Sequence, residues 1–213
     1  MYRRFGAFQC NLLLEGFYTR LNHVFVLEEI GKDEEHNAVI KERRNGQGAE
    51  VAGVTVEGKV AYLSLVQLQA GVTWQKSHYT RPEKWSKDSS VPAEKRIFRT
   101  PDWYGYFTAT YSPVKSLNIA LSGTYTGSMI VQHMKGYIPK DIAVTTPDFF
   151  DMNLKISYDF SLYKFITLQL NAGIQNIFNA YQRDFDQGKE RDSGYIYGPS
   201  MPRSYFAGAK LMF

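Results

Sequence analysis

Cysteine is nearly absent: the 213 residues hold one, Cys10, so no internal disulfide can staple the chain. No base is recognisable near Cys10, which reads as a small apolar strand residue rather than a nucleophile. Nowhere does the sequence approach the roughly 18 consecutive apolar residues of a transmembrane helix. The opening Met1-Tyr2-Arg3-Arg4-Phe5 lacks the apolar run of a secretory signal, so if the protein lives in an outer membrane its targeting segment is expected outside these residues. Net charge is only +4, and Lys and Arg do not gather along one element. That argues against a nucleic-acid partner. The run Lys41-Glu42-Arg43-Arg44 is short and mixed in sign, as a solvated loop would be. Helical spacings of three and four do not persist anywhere, so no helix is expected.

Aromatics and alternation are what the chain does have. Aromatic residues make up 15% of it, with 15 Tyr and 14 Phe, within a hydrophobic content of 44% that excludes a disordered chain. Such a share suits a protein with two membrane interfaces, where amphipathic rings settle at headgroup level. From Phe150 to Phe160 the even positions read Phe, Met, Leu, Ile, Tyr, Phe, and the odd ones Asp, Asn, Lys, Ser, Asp. Ile166, Leu168, Leu170, Ala172 and Ile174 then alternate with Thr167, Gln169, Asn171, Gly173 and Gln175. A period of two is the strand period. Six further strands are expected near 7–20, 49–60, 65–79, 102–112, 117–129 and 203–213.

The connections sort by length. Short turns fall near Ala61–Ser64, Ser112–Ser116 and Ser161–Lys164; long polar ones near 21–48, 80–101, 130–148 and 178–202. Long loops at one end and tight turns at the other mark a barrel threaded through an outer membrane. The expected fold class is therefore all-β, an antiparallel transmembrane β-barrel with about eight strands in this chain and its C-terminus on the periplasmic side. The apolar faces, Phe150, Met152, Leu154, Ile156, Tyr158, Ile166, Leu168 and Leu170 among them, should point to lipid.

No catalytic, cofactor-binding or metal-ligating pattern emerges. His23, His36, His78 and His133 are scattered without ligand spacing and read as surface or loop residues. Gly46-x-Gly48 precedes a strand and fails as a nucleotide fingerprint. Asp184, Asp186, Glu190 and Asp192 lie with Gly188 in the last long loop. They could suit calcium, but their spacing is not that of an EF-hand, and a solvated acidic loop is the favoured reading. In the same loop Tyr195, Tyr197 and Arg203 could grip a ligand at the pore mouth, with girdle or loop packing favoured for the two tyrosines. Asp184, Asp186, Tyr195, Tyr197 and Arg203 are thus the candidate ligand contacts. Glu57, Asp151, Lys155 and Asp159 sit on polar strand faces, which either meet something inside the barrel or form ordinary interior ion pairs.

Residues 172–181 read Ala-Gly-Ile-Gln-Asn-Ile-Phe-Asn-Ala-Tyr; after a polar loop, residues 202–213 read Pro-Arg-Ser-Tyr-Phe-Ala-Gly-Ala-Lys-Leu-Met-Phe. This ordered pair resembles the C-terminal end of TonB-dependent outer-membrane receptors. There a penultimate strand runs into an Asn-aliphatic-Phe-Asn/Asp segment, and a last strand opens on Pro-Arg and closes on an aromatic. The segments Asn11–Tyr18 and Gly53–Lys59 also look like barrel strands of that family. The resemblance implies a barrel of about 22 strands closed by an N-terminal plug, of which residues 1–213 would be the C-terminal wall without the plug. It implies energy from the TonB complex through the missing N-terminal part, and outer-membrane lipid and the barrel-assembly machinery as further partners. Tyr205 and Phe213 would form the assembly signal. The imported nutrient would be a siderophore, haem, cobalamin or oligosaccharide. Two alternatives stay open at this point. A complete eight-stranded barrel with a structural or adhesive role would pair its first and last strands. A soluble ligand-binding barrel would turn its apolar side chains inward.

Overall fold

A computed structural model describes residues 2–36 and 38–213. Alternation this regular can bury only one face of an extended chain, and strands are what forms: β1 (Tyr2–Phe5), β2 (Phe8–Leu21), β3 (Phe25–Asp33), β4 (Ala38–Asn45), β5 (Ala49–Tyr62), β6 (Val66–Glu83), β7 (Glu94–Arg96), β8 (Trp103–Val114), β9 (Leu117–Thr126), β10 (Ile130–His133), β11 (Ile142–Thr145), β12 (Phe149–Tyr163), β13 (Ile166–Gln175) and β14 (Ser204–Met212). The principal sheet is antiparallel and runs β1-β2-β5-β6-β8-β9-β12-β13-β14, with β7 attached to β6. Its order begins at β1 and ends at β14, so the sheet is open and the eight-stranded closed barrel is not what forms.

The eight expected strands are all present with small shifts of their ends, and β1 adds a short ninth. The expected polar loops need correction. Residues 21–48 hold the β3–β4 hairpin and residues 130–148 the β10–β11 hairpin. β6 also continues to Glu83, beyond the expected end near 79. Short or irregular strands among polar residues leave little alternation to read.

Register makes one continuous apolar face out of the alternation. From β2 to β14 the row Leu14, Val56, Val72, Gly105, Tyr125, Phe150 shows the pattern, each residue directly opposite the next. Leu154 stands opposite both Leu121 and Ile174, and Ile174 opposite Tyr205. This face is the open one: Leu14 is 69% exposed, and Val72, Trp74, Ile156 and Leu170 are also exposed. The other face carries Glu57, Thr73, Gln75, Asn153, Lys155, Ser157 and Gln169. Thr73 (5% exposed), Gln75 (8%) and Ser157 (9%) on it are buried. A soluble barrel would show the reverse, apolar inside and polar outside.

Rings on the polar face lie over glycines of the adjacent strand. A Cβ on Gly53 would sit 2.5 Å from the Phe17 ring, one on Gly71 2.8 Å from Tyr106, and one on Gly173 2.5 Å from Phe206. Aromatic cover of strand glycines helps pin register. The short turns, at 6–7, 63–65, 115–116 and 164–165, share one end of the sheet, and the long connections share the other.

Candidate functional site

Chemistry-bearing side chains concentrate at the long-loop end. There the β10–β11 hairpin, the segment around Arg99 and the last loop pack together. Their apolar centre is Met129, Val131 and Tyr195, with Val144 and Tyr197 against it. Along β10, Ile130, Val131 and His133 are all buried.

His133 is the residue that joins hairpin to loop. Its Nε2 lies 3.0 and 2.9 Å from the two carboxylate oxygens of Asp186, and the two side chains are 8% and 2% exposed. Its ring stacks on Tyr195 at 3.7 Å with an interplanar angle of 8°. Tyr195 donates its hydroxyl to Asp184 Oδ2 (2.8 Å), and Tyr197 donates to Asp184 Oδ1 (2.6 Å). Burial pushes the Asp184 carboxyl upward, but the hydrogen bonds from Tyr197 and Tyr195 outweigh it and hold the group below its ordinary value. Burial, then the bond to Asp184, pushes the Tyr197 hydroxyl up to about 12 and the Tyr195 hydroxyl higher still.

Gln182 is the keystone of the last loop. It is 1% exposed; its Nε2 donates to Tyr195 O (3.0 Å), and its Oε1 accepts from Tyr197 N (2.9 Å). Asp186 Oδ2 also accepts from Asp192 N (2.9 Å), and Asp192 accepts from Met134 N (2.8 Å) and Gly194 N (2.8 Å). Arg99, at φ 59°, donates its backbone N–H to Ile130 O and its guanidinium to Ile196 O (2.6 Å) and Gly194 O. Three chain segments are thereby tied into one mouth.

The Asn-Ile-Phe-Asn segment fastens this mouth to the wall. Asn176 and Asn179 adopt positive φ (51° and 55°), a conformation Asn tolerates better than most residues. Asn176 N donates to Asn153 Oδ1 (2.9 Å), and its side chain bonds Ala180 N, Ala180 O and Met201 O. Asn179 Oδ1 accepts from Arg203 N (2.9 Å), which sets the start of β14.

Of the five candidate contacts, the structure gathers Asp184, Asp186, Tyr195 and Tyr197 into this network and leaves the Arg203 guanidinium exposed and apart from it. The acidic loop is not simply solvated, because Asp186 is buried against His133. The carboxylates of Asp184, Asp186 and Asp192 are engaged by hydroxyls, an imidazole and backbone N–H groups, while Glu190 is exposed. Among the described residues no three side chains gather as metal ligands. His133, Gln182 and Arg99 were invisible as network members, since their partners lie 13 to 97 positions away.

No family model and no curated protein sequence matches the chain. Solved structures do. Over 96% of this chain and 27% of theirs, it matches the ferric-catecholate import receptor Fiu from E. coli K12, at 19% identity and a TM-score of 0.57. It matches the siderophore receptor PirA from Acinetobacter baumannii at 15% identity and a TM-score of 0.59, over 100% of this chain and 30% of that one. The outer-membrane ferripyoverdine receptor of Pseudomonas aeruginosa matches at 14% identity and a TM-score of 0.57, over 97% and 25%. The fold is that of a receptor barrel wall. At these identities the likeness is one of fold: an antiparallel sheet like part of the barrel of these receptors. The chain spans between a quarter and a third of the length of these receptors.

Proposed function

We propose that this chain is the C-terminal part of the wall of a TonB-energised outer-membrane receptor that imports an iron–siderophore complex. One observation carries the reading: the sheet exposes a continuous apolar face and turns its polar face inward. In water that arrangement is costly; in hydrocarbon it is the stable one. Aromatic pairs border the apolar band. Trp74 and Trp103 (6.3 Å) lie toward the long loops, and Phe8 with Tyr62 (4.6 Å) and Tyr158 with Phe160 (4.6 Å) toward the short turns. Such rings suit the two headgroup levels. The sheet is open, and unpaired backbone groups in hydrocarbon cost several kcal/mol each, so the remaining strands belong to the working wall.

The iron–siderophore class is favoured over haem, cobalamin or oligosaccharide because the matched structures are described as receptors or transporters of iron or its siderophores. The mouth built by His133, Asp184, Asp186, Tyr195 and Tyr197 is then an extracellular platform, with Tyr197 and Arg203 the candidates for touching cargo. Tyr205 and Phe213 serve as the assembly signal; Phe213 is 97% exposed at the end of β14. The test is energised uptake of radioactive iron–siderophores in a strain lacking its native receptors. The full-length receptor should restore TonB-dependent uptake, and residues 1–213 with an added secretion signal should not. TonB-dependent uptake by residues 1–213 alone would refute the reading.

A further inference from the structure

Lys41-Glu42-Arg43-Arg44 is not the solvated loop its composition suggests. It lies in β4, and strand alternation splits its cations between two faces. Arg44 turns to the buried carboxylate of Glu83 (3.7 Å), on the side of β6 where Thr73, Gln75 and Ser77 are also buried. Arg43 and Lys41 therefore turn the other way, to the outward side. Across the hairpin Arg43 stands opposite Leu27, Lys41 opposite Glu29 and Asn45 opposite Phe25. Lys41 and Arg43 are exposed and, among the described residues, belong to none of the ion pairs. Phe25 and Leu27 beside them are 69% and 64% exposed. β3 and β4 form a sheet of two strands, and such a hairpin is marginal in water by itself. Apolar side chains interleaved with cations on one open face suit an element that lies on a lipid surface.

The wall below carries the same face onward. On β6 the side that bears Trp74 continues through Lys76 and His78. Arg20, Glu50, His78 and Arg96 stand in one row across β2, β5, β6 and β7. Arg20 and His78 each lie 3.6 Å from Glu50, and Lys76 pairs with Asp102. The Arg20 and Lys76 side chains nevertheless stay 60% and 61% exposed. Lys76 is two residues past Trp74 and the row is four past it, roughly 7 and 13 Å along the strand. Trp74 and Trp103 suit headgroup level, so these cations sit at the height of lipid phosphates. Arg20, Lys41, Arg43, Lys76 and Arg96 outnumber Glu29, Glu50 and Asp102 there. A positive surface just beyond an aromatic girdle is complementary to anionic headgroups.

We propose that the outward face of the β3–β4 hairpin, with the charged row below it, docks onto anionic phosphate headgroups of the lipid leaflet on the long-loop side. This rests on the receptor reading above, in which the apolar face meets lipid.

Hydrogen exchange in the full-length receptor tests this, in bilayers of phosphatidylcholine alone and of equal parts phosphatidylcholine and phosphatidylglycerol. Heat-dependent migration of the folded barrel reports the wall in each. Residues 25–45 should exchange at least about fivefold more slowly in the anionic bilayer, the scale of one cation at such a surface. High salt should remove the difference. Lys41→Gln with Arg43→Gln, two exposed positions outside the principal sheet, should remove it too, and Lys41→Arg should keep it. Equal exchange in the two bilayers would overturn the docking while leaving the receptor reading standing. A difference that survives the loss of both charges would also overturn it. So would equal protection from inorganic phosphate added to the phosphatidylcholine bilayer, which would make the ligand a free anion and not a lipid. If the double variant reduces the folded band, the salt series on the unmutated receptor decides: a difference that persists in high salt overturns the docking, and one that vanishes supports it. An unmutated receptor that gives no folded band in either bilayer overturns the receptor reading and the docking with it.

Discussion

The wall and the mouth of this chain are built by different rules. In the wall each residue's environment follows from its parity: apolar out, polar in, strand after strand. Backbone pairing does most of the holding, and the side chains choose the face. In the mouth the holding is done by named side chains, His133 to Asp186, Gln182 to Tyr195 and Tyr197, Arg99 to two carbonyls. Apart from the ring-covered glycines, a wall position therefore tolerates most residues of the right polarity, and a mouth position tolerates few. Damage to the wall should be global, and damage to the mouth local.

The largest effect should come from putting charge on the outward face. Leu154→Arg or Leu168→Arg should cost about 2–4 kcal/mol near the bilayer midplane, read by equilibrium unfolding of the full receptor in vesicles. A loss confined to the loops would break the comparison. Deleting Phe213 should reduce the amount of receptor inserted in the membrane more than it reduces affinity for the proposed cargo; normal surface abundance would argue against the assembly role. Gln182→Ala should leave the buried Tyr195 O and the half-buried Tyr197 N unsatisfied. That costs on the order of 1–3 kcal/mol for each group. It should appear as faster hydrogen exchange across residues 178–202, with the wall strands unaltered.

Smallest, and sharpest in separating the two regions, is the response to pH. The Asp184 pKa is depressed, so its contribution is present above the ordinary carboxylate value of 3.8 and is lost as pH falls through the lower folded value. The Tyr197 pKa is raised, so its contribution is present below 10 and is lost as pH rises toward about 12. Exchange protection in residues 178–202 should therefore fall at both extremes while β12 and β13 keep theirs. Asp184→Asn should abolish the acid step.

This contrast also explains what could be read from the sequence. The strands, the short turns and the outward faces were legible because a period of two and a polar–apolar choice are local properties. Phe150 to Phe160 shows both within eleven residues. β1 was missed because four residues carry too little periodicity. The hairpins β3–β4 and β10–β11 were missed because their residues are largely polar on both faces or the strands are short. In the mouth, Asp184, Asp186, Tyr195 and Tyr197 stood out by residue type in one loop, where a solvated acidic stretch was the favoured reading; the network that joins them needed the fold. His133 was not, since only the fold brings it to Asp186, 53 positions on. Asn176 and Asn179 were quoted for their resemblance to a family motif. Their physical role, two left-handed turns and a side-chain clamp, needed coordinates.

The central claim is the facing of the wall, and alternate positions of β12 test it most directly. In the full receptor with Cys10→Ser, single nitroxide labels at Met152, Asn153, Leu154, Lys155, Ile156 and Ser157 can be read for collision with oxygen dissolved in lipid and with a water-soluble relaxer. The account predicts strict alternation, with 152, 154 and 156 exposed to lipid and 153, 155 and 157 shielded from it. Lipid contact at the odd positions, or no alternation at all, would contradict it.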